Sequence, residues 1–261
     1  HILFHVSLQG QFYKIHSLRF LIMTKKIIPL SLLFLLLLTS GHLLAADANI
    51  NISPGLPQST FREVTEELGI AIAYVPLAPA ENLGITGIDV GVEFTAVDID
   101  EDLFRGVMSD PPGQLVIPKI HVQKGLPFGI DLGAIYSKVP NSDISMAGGE
   151  VKWAILTGTA ATPALAIRGS YTRLIGVSDL DLETFGADLS VSKGVFFLTP
   201  YAGVGQIWIR ANSNTTGLDK ESSTKTRGFI GLKASLLPFS VVGEYDISEV
   251  SSFSLRLNIS F

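Results

Sequence analysis

The sequence contains no cysteine, which excludes a disulfide scaffold and a cysteine-anchored lipoprotein. Charge is sparse, at 16% of residues, and the net formal charge of −5 leaves no basic footprint for nucleic acid. At 47% hydrophobic residues the chain is too apolar for a disordered one. Histidine is scarce where it would matter: His1, His5, His16 and His42 precede residue 49, leaving His121. One histidine and no cysteine argue against a transition-metal site, and no cofactor is expected. Long apolar runs are also few, the clearest being Ile27 to Leu38.

That run organises the N-terminus. Residues 1–22 mix aromatic, basic and apolar positions without pattern and are expected to lie upstream of a translation start at Met23. From there Lys25 and Lys26 precede the apolar run, and Ala46-Asp47-Ala48 offers a small-residue cleavage site. This is the layout of a secretory signal over 23–48, with an uncleaved membrane helix over Ile27 to Ala46 as the alternative. Removing residues 1–48 takes four of the 19 bases and one of the 24 acids, so the remainder is clearly acidic.

Beyond residue 84 the dominant pattern is alternation. Phe253, Leu255, Leu257, Ile259 and Phe261 interleave with Ser254, Arg256, Asn258 and Ser260, and Val90, Val92 and Phe94 interleave with Gly91 and Glu93. Successive side chains of a strand point to opposite faces, so these segments carry one apolar and one polar face. Alternation over 84–98, 115–123, 127–138, 144–156, 163–174, 179–192, 195–210, 226–237, 239–247 and 252–261 predicts ten strands. Two architectures satisfy that pattern: a soluble exported sandwich with apolar faces together, and a membrane barrel with apolar faces against lipid. The connections favour the second, since stretches such as Ile99 to Gln114 and Ala211 to Lys225 alternate with tight turns such as Lys124 to Leu126 and Leu237-Pro238. Trp153, Trp208, Tyr136, Tyr171 and Tyr245 fall on strands, several near the ends, where interfacial aromatics belong.

With this signal and this terminal strand, ending on Phe261, the chain resembles the outer-membrane β-barrel proteins of Gram-negative bacteria. The resemblance implies an antiparallel up-and-down transmembrane β-barrel over 84–261, of ten strands or, alternatively, twelve. It also implies outer-membrane localisation, contact with outer-membrane lipid and lipopolysaccharide, and recognition of Phe253, Leu255, Leu257, Ile259 and Phe261 by the barrel assembly machinery. No residue-level motif names a subfamily.

Residues 49–83 break the period of two. Thr60 with Glu63 forms a capping box, and Phe61, Val64 and Leu68 share one side of a helix over 59–68 that Gly69 can end. Ile70, Ile72 and Tyr74 then read as a further strand, so the segment is expected either as a plug or as an extra strand.

Projecting the alternation inward places Asp89, Glu93, Asp131, Glu150, Asp188, Glu244 and Asp246 opposite Lys119, Lys152, Arg168, Arg227, Lys233 and Arg256, with His121 among them. A ten-strand lumen is narrow, and near-balance of sign is what buried pairing requires. The functional expectation is a narrow passive channel for small solutes or a structural, surface-interaction barrel. Enzymatic barrels that modify lipid use a histidine as acid or base; here His121 would have to serve, and the sequence around it, His121-Val122-Gln123, lacks a His-x-Ser arrangement, so an enzyme is not expected. The acids Asp98, Asp100, Glu101 and Asp102 form either a Ca²⁺-holding or a solvated loop.

Overall fold

The computed structural model describes residues 50–109, 111–139, 143–214 and 217–261. The expected upstream stretch 1–22 and the signal segment 23–48 lie outside these residues.

Ten strands follow in chain order: β1 Ile88–Asp98, β2 Gln114–Gly125, β3 Ile130–Lys138, β4 Ser145–Thr157, β5 Ala164–Ile175, β6 Leu180–Ser192, β7 Leu198–Ser213, β8 Glu221–Leu236, β9 Phe239–Ile247 and β10 Ser252–Ser260. Each pairs antiparallel with its sequence neighbours, and β1 closes on β10 with Val90 opposite Ile259 and Glu93 opposite Arg256. Both edges of β1 are therefore taken, which excludes the twelve-strand alternative. Closure leaves no exposed strand edge.

Alternation sets the faces. On β1, Asp89, Glu93, Thr95 and Val97 are buried while Ile88 and Val90 are exposed. The same holds round the barrel, with Ile120, Leu132, Val151, Ile167, Leu189, Val204 and Ile230 exposed outside. The molecule is thus inverted relative to a water-soluble sandwich: its strands bury the polar face and expose the apolar one.

The two rims differ. At the turn rim lie the β2–β3 turn, with a 3₁₀ turn at Pro127–Gly129, and the short Leu237-Pro238 connection. Ile88 and Phe261 meet there through paired backbone hydrogen bonds of 3.0 and 2.8 Å. At the loop rim lie the connections 99–113, 139–144, 176–179, 214–220 and 248–251. The loop expected over Ala211 to Lys225 is shorter because β7 and β8 run on, pairing Ala211 with Glu221; the polar Ser222, Ser223 and Thr224 continue the alternation past the apolar band. β1 begins at Ile88 rather than 84, since Gly84 adopts φ +77° and bends the chain before the strand starts. β7 likewise begins at Leu198, after a turn in which Phe196 has φ 56°.

Among the described residues one longer helix precedes the strands. α1 spans Gln58–Ile72 and starts from Pro57, with no side-chain cap, so the capping box of Thr60 and Glu63 does not form. The fixed φ of proline already matches a helix entry, and Phe61 N–H donates to the Pro57 carbonyl at 3.0 Å. Gly69 does not end α1. It faces β7, where a Cβ would lie 2.4 Å from Ile209 Cγ2, so its missing side chain permits a close approach instead. The strand read from Ile70, Ile72 and Tyr74 is corrected accordingly: Ile70 and Ile72 belong to the helix, whose buried side includes Phe61, Val64, Leu68 and Ile72.

A second short helix, α2, spans Glu101–Phe104. Asp100 caps it, its carboxylate accepting from the N–H groups of Asp102 and Leu103, while Phe104 is buried. The acidic run thus has a capping role in the fold.

Candidate functional site

The barrel interior brings together nearly all the charge that alternation turns inward. Asp89, Glu93, Lys119, His121, Asp131, Glu150, Lys152, Arg168, Asp188, Arg227, Glu244, Asp246 and Arg256 are all buried, and Lys233 is half-buried. They form cross-strand pairs because neighbouring strands place inward positions side by side. Lys119 Nζ lies 2.6 Å from Glu93 and donates to Thr95 Oγ1 at 2.8 Å. Arg168 Nε lies 2.8 Å from Glu150, and Lys152 Nζ 3.0 Å from Asp131. Arg227 lies 3.7 Å from Asp246 of the neighbouring β9 and, reaching past Gly205 of β7, 3.4 Å from Asp188 of β6, and Arg256 lies 3.8 Å from Asp89.

This ionic wall encloses polypeptide. After α1 the chain continues through residues 73–87 as an irregular strap, in which Tyr74, Val75, Leu77, Ala78 and Ala80 are buried. A segment without regular secondary structure cannot satisfy its own N–H and C=O groups, so buried ones must find partners elsewhere. The wall supplies them from opposite sides. Arg227 of β8 donates to the Tyr74 carbonyl (2.8 Å), and the Leu77 N–H donates to Glu244 of β9 (2.9 Å). The Ala80 N–H donates to Ser192 Oγ of β6 (3.0 Å), and the Leu83 N–H to Asp131 of β3 (3.1 Å). Lys152 of β4 donates to the carbonyls of Pro79 (3.0 Å) and Glu81 (2.8 Å).

His121 sits at the upper end of this strap. Its Nε2 is 2.8 Å from the Tyr74 hydroxyl, and its Nδ1 is 3.0 Å from Glu93 and 3.1 Å from Arg256 Nη1. A carboxylate can only accept here and a guanidinium only donate. Nδ1 therefore serves one neighbour or the other, and the rotating Tyr74 hydroxyl can match either tautomer. Gly133 makes room for this contact, since a Cβ there would lie 2.7 Å from Tyr74 Oη. His121 has no exposed surface, so its contacts are those of a buried polar junction between wall and strap. Sequence reasoning missed Tyr74 as its partner, because nothing local relates two residues 47 apart.

Nearer the loop rim the interior changes character. Val97, Ile117, Ile135, Leu182, Ile207 and Ile209 point inward around Phe61, Val64 and Leu68 of α1 in one apolar cluster. Polar contacts fasten α1 at its outer end: Arg62 to Glu221 (2.9 Å), Lys225 to Glu66 (2.7 Å) and Glu249 (2.6 Å), and the Asp100 N–H to Glu67 (3.1 Å). The outward side of β10 carries Phe253, Ile259 and, at the end of the chain, Phe261, all exposed, with Leu255 and Leu257 half-buried between them.

These features define a closed antiparallel ten-strand barrel, apolar outside, with a charged and occupied lumen. No family model matches the chain, and no curated protein sequence matches it. Among solved structures it is similar to the N-terminal β-barrel domain of Pseudomonas aeruginosa OprF, at 13% identity over 68% of this chain and 99% of that one, with a TM-score of 0.36. It is also similar to Neisserial surface protein A, at 11% identity over 67% and 94% of the two chains and a TM-score of 0.29. For the outer membrane protein OprG of Pseudomonas aeruginosa the values are 10%, 70%, 99% and 0.31. These are outer-membrane β-barrel proteins, and the likeness is one of barrel architecture alone.

Proposed function

We propose that this protein is an outer-membrane barrel sealed by its own chain, which works as a structural scaffold presenting its loops and α1 at the cell surface. The observation that carries the reading is the inverted distribution of polarity around a filled lumen. A wall exposing Val90, Ile120, Val151, Trp153, Leu189 and Ile230 is matched to hydrocarbon and mismatched to water. Trp208, Tyr171 and Tyr136 on its loop-side half and Trp153 on its turn-side half stand where interfacial aromatics would meet headgroups.

The partners in this reading are outer-membrane lipid and lipopolysaccharide around the wall, with β10 offered to the barrel assembly machinery during insertion. Strand addition at a temporarily open β1–β10 seam would be the physical basis of that recognition. The strap disfavours passive permeation, because its backbone takes the inward donors and acceptors that a solute would use. Lipid chemistry at His121 is disfavoured for the same reason, as wall and strap enclose the imidazole.

Two measurements test the reading. The full chain should fractionate with outer membrane, need detergent for extraction and migrate differently on gels before and after heating. In planar bilayers the folded full chain should give no sustained conductance. Steady ion currents from it would overturn the sealed scaffold in favour of a channel, and recovery as a folded soluble monomer would overturn the membrane reading altogether.

A further inference from the structure

We propose that the chain crosses the membrane inside its own barrel, so that residues 50–57 are displayed on the side opposite Phe261, and that the inner wall between α1 and the turn rim is a binding site for irregular, unpaired polypeptide main chain. This rests on the membrane reading above.

The topology is the first argument. An even number of strands returns Ile88 and Phe261 to one rim. The segment leading into Ile88 nevertheless starts at the other rim, where the Asn51 N–H donates to the Val107 carbonyl (2.9 Å) and Gln58 exchanges hydrogen bonds with the backbone of Asp219 (2.9 and 3.2 Å). α1 and the strap together make an additional crossing, α1 in the loop-side part and the strap in the turn-side part. At about 1.5 Å per residue α1 covers roughly 22 Å, and the bent strap, whose fully extended limit is about 50 Å, has to cover only the remainder of an apolar band about 25 Å tall.

Chemistry is the second argument. Arg227, Glu244, Lys152, Ser192 and Asp131 all address backbone N–H or C=O groups of the strap. Recognition of this kind tolerates changes of side chain and selects for backbone whose N–H and C=O groups are unpaired. Tyr74 makes the one side-chain hydrogen bond the buried part of the strap gives to the wall among the described residues, to His121.

The absence of cysteine makes the test clean, because each engineered thiol is alone in the full chain. Ser53→Cys probes the segment before α1, Ser178→Cys the loop rim and Thr162→Cys the turn rim; all three positions are exposed. Intact cells are treated with a membrane-impermeant maleimide. Ser53→Cys and Ser178→Cys should label together, and Thr162→Cys should label after permeabilisation, with loss of its signal in intact cells. Protection of Ser53→Cys together with Thr162→Cys, while Ser178→Cys labels, would overturn the threading and leave the membrane reading intact. Recovery of the three variants in the soluble fraction would instead remove the membrane reading. A second arm adds Tyr74→Phe to Ser53→Cys. Unchanged labelling supports main-chain recognition, and loss of labelling in a barrel that still folds would overturn it.

Discussion

The upper and lower halves of the barrel interior solve the same problem in opposite ways. Around α1 the wall is apolar, with Ile135, Leu182, Ile207 and Ile209 against Phe61 and Val64; around the strap it is ionic, with Asp131, Lys152, Arg227 and Glu244 against backbone. The occupant explains the difference. A helix satisfies its own main chain and offers only side chains to its surroundings, so dispersion and burial suffice to hold it. A segment without regular secondary structure brings unpaired N–H and C=O groups, each costly to bury unpartnered, so its surroundings must be polar. The charge in the lumen is thus matched to the conformation of what fills it.

The sharpest way to break this comparison is Lys152→Met. It leaves the Asp131 carboxylate with the Leu83 N–H but without its paired cation, a loss of about 3–5 kcal/mol for a buried pair, and leaves the Pro79 and Glu81 carbonyls without this donor, at about 1–3 kcal/mol for each left unsatisfied. Urea unfolding in detergent micelles should show the largest destabilisation of any substitution discussed here. A variant as stable as the parent would mean the strap does not depend on a polar wall. In the upper half, Phe61→Ala should lose about 3–5 kcal/mol through transfer and cavity terms, since Phe61 is fully buried. There the loss should track side-chain volume, with Phe61→Leu recovering much of it.

Much of this was legible in the sequence, and the division follows the same physics. Period-two alternation is imposed by every residue of a strand, so the ten strands and the inward side of residues such as Asp89, Lys152 and Arg256 could be read directly. Of what fills the barrel, α1 shows helical spacing at Phe61, Val64 and Leu68, whereas the strap leaves no period. The strap binds through its backbone, which has no sequence signature, and Tyr74 meets His121 through tertiary structure alone. The place of α1 inside the barrel has a sequence mark of its own. At the loop-side strand ends both faces turn apolar, as in Ile207-Trp208-Ile209 and Ile135-Tyr136, and an apolar inner face requires something apolar inside. Gly69 misled for a related reason: glycine marks a helix end when the backbone needs φ > 0, but here the need was space beside Ile209.

That close approach yields a smaller prediction, confined to the upper half. Gly69→Ala improves intrinsic helix propensity by about 1 kcal/mol, yet it sets a methyl 2.4 Å from Ile209 Cγ2 and 2.8 Å from Cδ1. Overpacking of this kind costs about 1–3 kcal/mol, so the substitution should be net destabilising. In an Ile209→Ala background the clash disappears and Gly69→Ala should become neutral or stabilising. A double-mutant cycle reads this coupling directly, and additivity of the two substitutions would show that α1 does not rest on β7 at this point.

The smallest effect concerns the polar fastening of α1 outside the apolar band. Partial burial raises the pKa of Glu67 above the ordinary carboxylate value, against the opposing effect of the hydrogen bond from the Asp100 N–H, while the charges of Asp100 and Glu63 raise it further. A carboxyl group that holds its proton more tightly when folded destabilises the fold once ionised. Stability therefore falls as pH rises from the ordinary carboxylate range through the raised value, and stays lower above it. Glu67→Gln keeps an oxygen to accept from Asp100 and removes the charge. It should be the more stable form at about pH 7, and the advantage should fade towards about pH 4, where the wild-type side chain is protonated. Solvent screening of this half-buried group keeps the difference below about 1 kcal/mol. Unfolding midpoints of both proteins across that range decide the matter: a wild type more stable at neutrality would show that α1 is fastened through the ionised carboxylate, and that the contrast between an apolar upper half and an ionic lower half breaks down at its outer edge.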